Sequence, residues 1–89
     1  MKIFCYILQL NNGTFYTGIT NNMDRRIFEH THGKSKSTRN FLPITVIHIE
    51  PFLTRKDARK REVEIKGRGA KRYLLKLKFS PDTQPQFTQ

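Results

Sequence analysis

Five side chains in this 89-residue sequence have the types and spacing to act on a phosphodiester. Tyr6 follows Phe4-Cys5 in an apolar run, and Tyr16-Thr17-Gly18 comes ten residues later. Arg26 stands eight residues beyond Gly18, with His30 one helical turn after it. Glu62 lies far downstream, within Arg61-Glu62-Val63-Glu64-Ile65-Lys66. Cleaving a phosphodiester needs an activated water, charge neutralisation on the phosphate and a stabilised leaving group. A planar guanidinium such as that of Arg26 grips non-bridging oxygens better than an ammonium does. The Glu62 carboxylate suits one hard divalent cation, Mg²⁺ or Mn²⁺, that keeps several of its waters. A tyrosine beside such a cation and an arginine has its pKa lowered toward deprotonating or positioning water, and Tyr6 and Tyr16 are both candidates. His30 is suited to orienting a tyrosine or assisting proton transfer.

The elements that must hold these groups follow from pattern. Lys2 to Leu10 is apolar on both alternating faces, as in a strand covered on two sides. Asn11-Asn12-Gly13 signals a turn, and Thr14 to Ile19 is a second β-rich run. A two-residue loop would pair Leu10 with Phe15 and put the two tyrosines on opposite faces. A three-residue loop with Gly13 in the left-handed conformation pairs Leu10 with Thr14, Leu8 with Tyr16 and Tyr6 with Gly18. Only the second register puts both tyrosines on one face, and a shared site requires it.

Asn21 is positioned to cap the next helix, with Asp24 favouring its positive end. Helical spacing places Met23, Arg26, Ile27 and His30 on one arc, so Arg26 and His30 should edge a buried stripe. Gly33 to Ser37 reads as a flexible basic loop. Ile44 to Glu50 forms a third strand, bounded by Pro43 and Pro51. Thr54 with Asp57 starts a second helix, on which Ala58, Glu62 and Ile65 share an arc. Gly67 and Gly69 should break that helix before a stripe of Ala70, Tyr73, Leu74 and Leu77. Residues 1–79 are expected to form one domain, and Ser80 to Gln89 a disordered tail.

Every one of these residues also has a plainer reading. Tyr6 and Tyr16 are ordinary cross-strand partners in any aromatic hairpin. Arg26 between Asp24 and Glu29 reads as a solvated helix face, and a lone His30 as a rim histidine. His32 and His48 are taken as structural. Glu62 resists a plain reading most, although a salt bridge to a basic neighbour would explain it. A carboxylate on an inward arc must be paired, with a cation or with a base.

The conjunction of spacings, in the order β-β-α-β-α-α, resembles the GIY-YIG nuclease superfamily, specifically its small single-domain members. The likeness runs from about Phe4 to about Leu77. It implies an α/β (α+β) fold, a three-stranded antiparallel sheet flanked by helices. It also implies endonuclease activity, Tyr6, Tyr16, Arg26 and His30 as site residues, and Glu62 as the metal ligand. Phe4-Cys5 and Thr17 depart from the motif residues that give the family its name. No asparagine occurs after Asn40, where many members carry a late one.

The bulk composition agrees with a polyanionic partner. Seventeen Lys and Arg against seven Asp and Glu give a net charge of +10. Eleven of the seventeen cations lie between Arg55 and Lys78. Counterion release from phosphates then favours nucleic acid over anionic membrane, with DNA placed ahead of RNA by the resemblance and a role in DNA repair or processing. Cys5 is the only cysteine, which excludes an internal disulfide and a cysteine-based zinc site. No apolar run has the length of a membrane span. A cytoplasmic monomer is the default expectation. The competing classes are a non-catalytic DNA- or RNA-binding module on the same fold and a structural RNA-associated protein.

Overall fold

The first strand, β1, spans Ile3–Gln9 and is apolar on both faces because it becomes the middle of the sheet. The structure, a computed structural model, describes residues 1–78. The tail expected from Ser80 onward lies outside them. β2 (Phe15–Thr20) and β3 (Thr45–Phe52) flank β1, both antiparallel to it, in the order β2-β1-β3. Three helices complete an α+β fold: α1 (Met23–Thr31), α2 (Arg55–Arg68) and α3 (Ala70–Lys78).

The hairpin takes the three-residue loop. Leu10 N–H donates to Thr14 O at 2.8 Å, and Gly13 turns the chain at φ 89°. Tyr6 therefore pairs with Gly18 and Leu8 with Tyr16, which puts both tyrosines on one face. That face packs Tyr6, Leu8 and Leu10 against Tyr16, Met23, Ile44 and Val46. Met23 opens α1, so α1 covers this side. The opposite face packs Cys5 and Ile7 against Ile65 of α2 and Tyr73 of α3. Cys5 is a core residue, as expected, and burial with help from Glu50 and Glu62 pushes its thiol up to about 11.

Several local expectations are corrected. The cap of α1 is Asn22, whose side chain accepts from Arg25 N at 3.0 Å; Asn21 instead accepts from the Arg25 guanidinium. β3 runs through Pro51 to Phe52, which an edge strand tolerates because the missing N–H need not meet a partner. A bulge opposite Ile7/Leu8 lets Val46 pair with Leu8 and His48 with Ile7. Val46 thus joins the tyrosine face, while His48, Glu50 and Phe52 join the other. Thr54 caps α2 as predicted, accepting from Asp57 N at 3.1 Å. Gly67, however, stays helical, and only Gly69 at φ 96° ends α2. Ala58 and Ile65 seat α2 on the sheet, and α3 docks through Tyr73 with Ala70, Leu74 and Leu77.

Candidate active site

Four of the five predicted residues meet beneath α1. Arg26 and His30 lie one turn apart on that helix, and both reach the hydroxyl of Tyr6 on β1. Arg26 Nε donates to Tyr6 Oη at 3.1 Å, and His30 Nε2 lies 3.0 Å from the same oxygen. Tyr16 closes the group, its ring centroid 6.3 Å from that of Tyr6 and 5.3 Å from that of His30. Gly18 makes the arrangement sterically feasible. A Cβ there would sit 2.7 Å from Tyr6 Oη and 3.2 Å from the Tyr16 ring, inside van der Waals contact. The motif glycine is thus a space, not a turn.

The depth of these residues differs from expectation. His30 is no rim residue: it is 1% exposed, as is Tyr6. Its Nδ1 lies 2.8 Å from the hydroxyl of Thr38, which is itself fully buried. The loop after α1 is accordingly more fixed than its basic composition suggested. Ser35 is buried as well, and its carbonyl accepts from Thr38 N and Arg39 N. Thr38 is the residue that sequence reasoning missed. Nothing in local pattern reports which residue of a loop will return to a helical side chain eight residues back.

Burial governs the electrostatics. It pushes the Tyr6 phenol up to about 12, and the Arg26 hydrogen bond and charge only partly offset it. The protein groups by themselves thus raise the phenol, and the lowering expected beside a cation and an arginine is carried here by Arg26 alone. Burial, reinforced by the Arg26 charge, lowers His30 to about 4, so its imidazole is neutral at pH 7. Arg26 also loses solvation, but its bonds to Glu29 and Tyr6 outweigh this and raise its pKa. Its Nη1 donates to Glu29 Oε1 at 2.9 Å, and the same bond lowers the Glu29 carboxyl.

Glu62 stands apart from the four. It faces inward on α2, its side chain 13% exposed, but α2 covers the other side of the sheet. Lys66 Nζ lies 3.1 Å from Glu62 Oε2, and Arg59 Nη1 lies 3.8 Å from Oε1. Its charge nonetheless contributes to raising the pKa of both Tyr6 and Cys5, on opposite faces of β1. Both basic partners are more than half exposed, so these pairs are weakly held. Among the described residues no group of three or more His, Cys, Asp and Glu could hold a metal ion.

Between β2 and the α2–α3 junction runs an open groove of about 540 Å³. Tyr16 and Thr17 line one side of it, and Lys66, Gly69 and Lys71 the other. Neither Gly13 nor Gly69 has another atom within 4 Å of where a Cβ would stand, so backbone is approachable at both ends. The outer faces of α2 and α3 carry exposed Arg55, Lys56, Arg59, Lys60, Arg68, Lys71 and Arg72.

Known proteins agree with this arrangement. The family model described as the GIY-YIG catalytic domain matches residues 2–74. A UPF0213 protein of Halobacterium salinarum is 40% identical over 62 residues, covering 68% of this chain and 80% of that one. A UPF0213 protein of Halalkalibacterium halodurans is 37% identical over 84 residues, 91% of this chain and 89% of that one. The solution NMR structure of a UPF0213 protein from Bacillus halodurans superposes with a TM-score of 0.56 at 37% identity, over 91% of this chain and 89% of that one. The tyrosine pair with its glycine space, the matched domain and these relatives together place the chain in the GIY-YIG family, among relatives that are small UPF0213 proteins.

Proposed function

We propose that this protein is a metal-dependent endonuclease that hydrolyses nucleic-acid phosphodiester bonds, DNA ahead of RNA, with Tyr6, Tyr16, Arg26, His30 and Glu62 as its site. The observation that carries the reading is the Arg26 Nε–H donated to Tyr6 Oη, with His30 on the same oxygen. A buried phenol approached by a guanidinium is set up to hold negative charge once its proton leaves, which a packing tyrosine does not need. Glu62 would hold a divalent cation, which would supply positive charge to the phosphate and to the departing oxygen. Arg26, held by its bonds to Tyr6 and Glu29, would present its guanidinium to a non-bridging phosphate oxygen. Tyr16, half-exposed on the groove wall, orients the scissile segment against Tyr6. The exposed cations of α2 and α3 bind backbone phosphates without reading bases, which suits a substrate chosen by shape.

A binding-only module is the second reading, and one observation favours it: Glu62 is already ion-paired with Lys66 and Arg59. Cleavage of branched and single-stranded oligonucleotides with Mg²⁺ or Mn²⁺, against chelator, separates the two. On the nuclease reading Glu62→Gln abolishes metal-dependent cleavage while nucleic-acid binding and the thermal midpoint survive. Full activity with an unaltered metal requirement removes Glu62 from the site.

A further inference from the structure

The groove beside Tyr16 follows a free edge of the sheet. Among the described residues β2 pairs only with β1, so its outer side has no partner strand. Leu10 and Thr14 form a hydrogen-bonded pair, and such pairs alternate along an antiparallel ladder. The N–H and C=O groups of Phe15 and Thr17 therefore point away from β1, and both residues line the groove. Side chains alternate as well. Tyr16 turns toward Tyr6 and His30 beneath α1, while Phe15 packs with the cluster under α2 and α3. The groove thus crosses the sheet edge, from the candidate site to the α2–α3 junction.

Its charge is one-sided. Lys66 and Lys71 line it, and among the described residues no carboxylate does. Lys66 shares its charge with Glu62 at 3.1 Å, whereas Lys71 makes no ion pair among the described residues. A peptide strand could add to a free edge through the same backbone groups, but two ammoniums beside that edge and a net charge of +10 favour a polyanion. A volume of about 540 Å³ is on the scale of a small-molecule site, not of a double helix. A duplex also keeps its bases inside the stack. An unpaired strand can bring phosphates to the lysines and base edges to free N–H and C=O groups at once. We propose that the groove holds one unpaired nucleic-acid strand, its phosphates against Lys66 and Lys71 and a base on the β2 edge at Phe15 and Thr17. The site then acts on substrates with a single-stranded segment next to the cleaved bond, an inference that rests on the nucleic-acid reading above.

The test is binding by the full chain, read by fluorescence anisotropy at one fixed salt concentration. The probe is a DNA oligonucleotide of about 12 nucleotides, single-stranded or annealed to its complement. Lys71→Glu reverses a charge in the groove, and Lys56→Glu reverses an equal one on the exposed face of α2, outside it. Lys71→Glu should weaken single-strand binding about tenfold or more, and duplex binding no more than Lys56→Glu does. Equal losses for the two forms of DNA in Lys71→Glu overturn the proposal. An unchanged single-strand affinity overturns it too, and leaves the edge to a peptide strand. Amide NMR of the wild type gives a second reading that needs no variant: the Phe15 and Thr17 amides should shift when the single strand is added, and unmoved amides refute the proposed contact. A chain that binds single strands this way yet never cleaves them would refute the nuclease reading and leave this one standing. A chain that cleaves duplex DNA with no dependence on Lys71 would do the reverse.

Discussion

The two faces of the sheet each carry a tyrosine, a histidine and an arginine, and they use them differently. Beneath α1, Tyr6 Oη receives Arg26 and contacts His30, with no carboxylate on the oxygen. On the α2–α3 side a carboxylate sits in the middle: Tyr73 Oη donates to Glu50, His48 Nε2 lies 2.7 Å from it, and Arg61 Nη1 bonds both Glu50 and Tyr73. Both phenols stand raised to about 12, in each case chiefly by burial, but the contributions of their neighbours diverge. An arginine pulls each one back, Arg61 at Tyr73 and Arg26 at Tyr6, but at Tyr73 the hydrogen bond and charge of Glu50 add to the rise. Tyr73 is fastened as a neutral donor. At Tyr6 the hydrogen bond and charge of Arg26 favour the anion, against burial, Tyr16 and Glu62. The same residue types thus build a carboxylate-centred clasp on one face and a buried, guanidinium-bonded phenol on the other. What differs is whether an acid bonds the phenol itself, as Glu50 does, or only its arginine, as Glu29 does.

Arginine truncation should break that comparison most visibly. Arg26→Ala is expected to slow cleavage by about 10²- to 10³-fold, the scale of one lost electrostatic stabiliser. Met23 stays packed in that variant, so the thermal midpoint should change little. A wild-type cleavage rate in Arg26→Ala would remove the phosphate grip from the account.

Acid stability sharpens the comparison next. His30 is held near 4, below the usual 6.5, by burial and by Arg26. Between those values the unfolded chain binds the proton that the folded chain refuses, so stability is complete above about 6.5 and lost as pH falls toward 4. The loss is roughly 3 kcal/mol, from 1.4 kcal/mol per unit of pKa. A series of thermal midpoints across that window should fall with acid in the wild type, and His30→Gln should flatten the slope. An equal slope in both would mean that His30 is not held neutral.

On the other face, Arg61→Ala should act on folding and leave chemistry alone. It removes the cation shared by Glu50, which keeps some solvent, and the buried Tyr73, so a cost of about 1–3 kcal/mol is expected. Chemical denaturation measures it, and cleavage per folded molecule should hold. A rate that falls while stability does not would make the clasp part of the site.

Much of this was legible in the sequence wherever local chemistry decides. Gly13 fixed the hairpin loop, and through it the shared face of Tyr6 and Tyr16. Thr54 and Asp57 announced the start of α2. Helical spacing put Arg26 and His30 on one arc, but an arc gives direction and not depth, so the full burial of His30 went unread. Thr38 was invisible because its contact with His30 depends on how the loop folds back. The bulge in β3 was equally hidden, and with it the face that Glu50 joins. Gly67 was read as a breaker, yet the surrounding helix and the packing of Ile65 outweigh its propensity.

The most direct test sets the two tyrosines against each other. Tyr6→Phe and Tyr73→Phe each remove one hydroxyl and keep the ring, and the measurement is the metal-dependent cleavage rate per folded molecule. The account predicts a fall of about 10²-fold or more for Tyr6→Phe, the scale of a lost acid–base group. For Tyr73→Phe it predicts an essentially unchanged rate with lower stability. Equal rates in the two variants, or a loss confined to Tyr73→Phe, would contradict it.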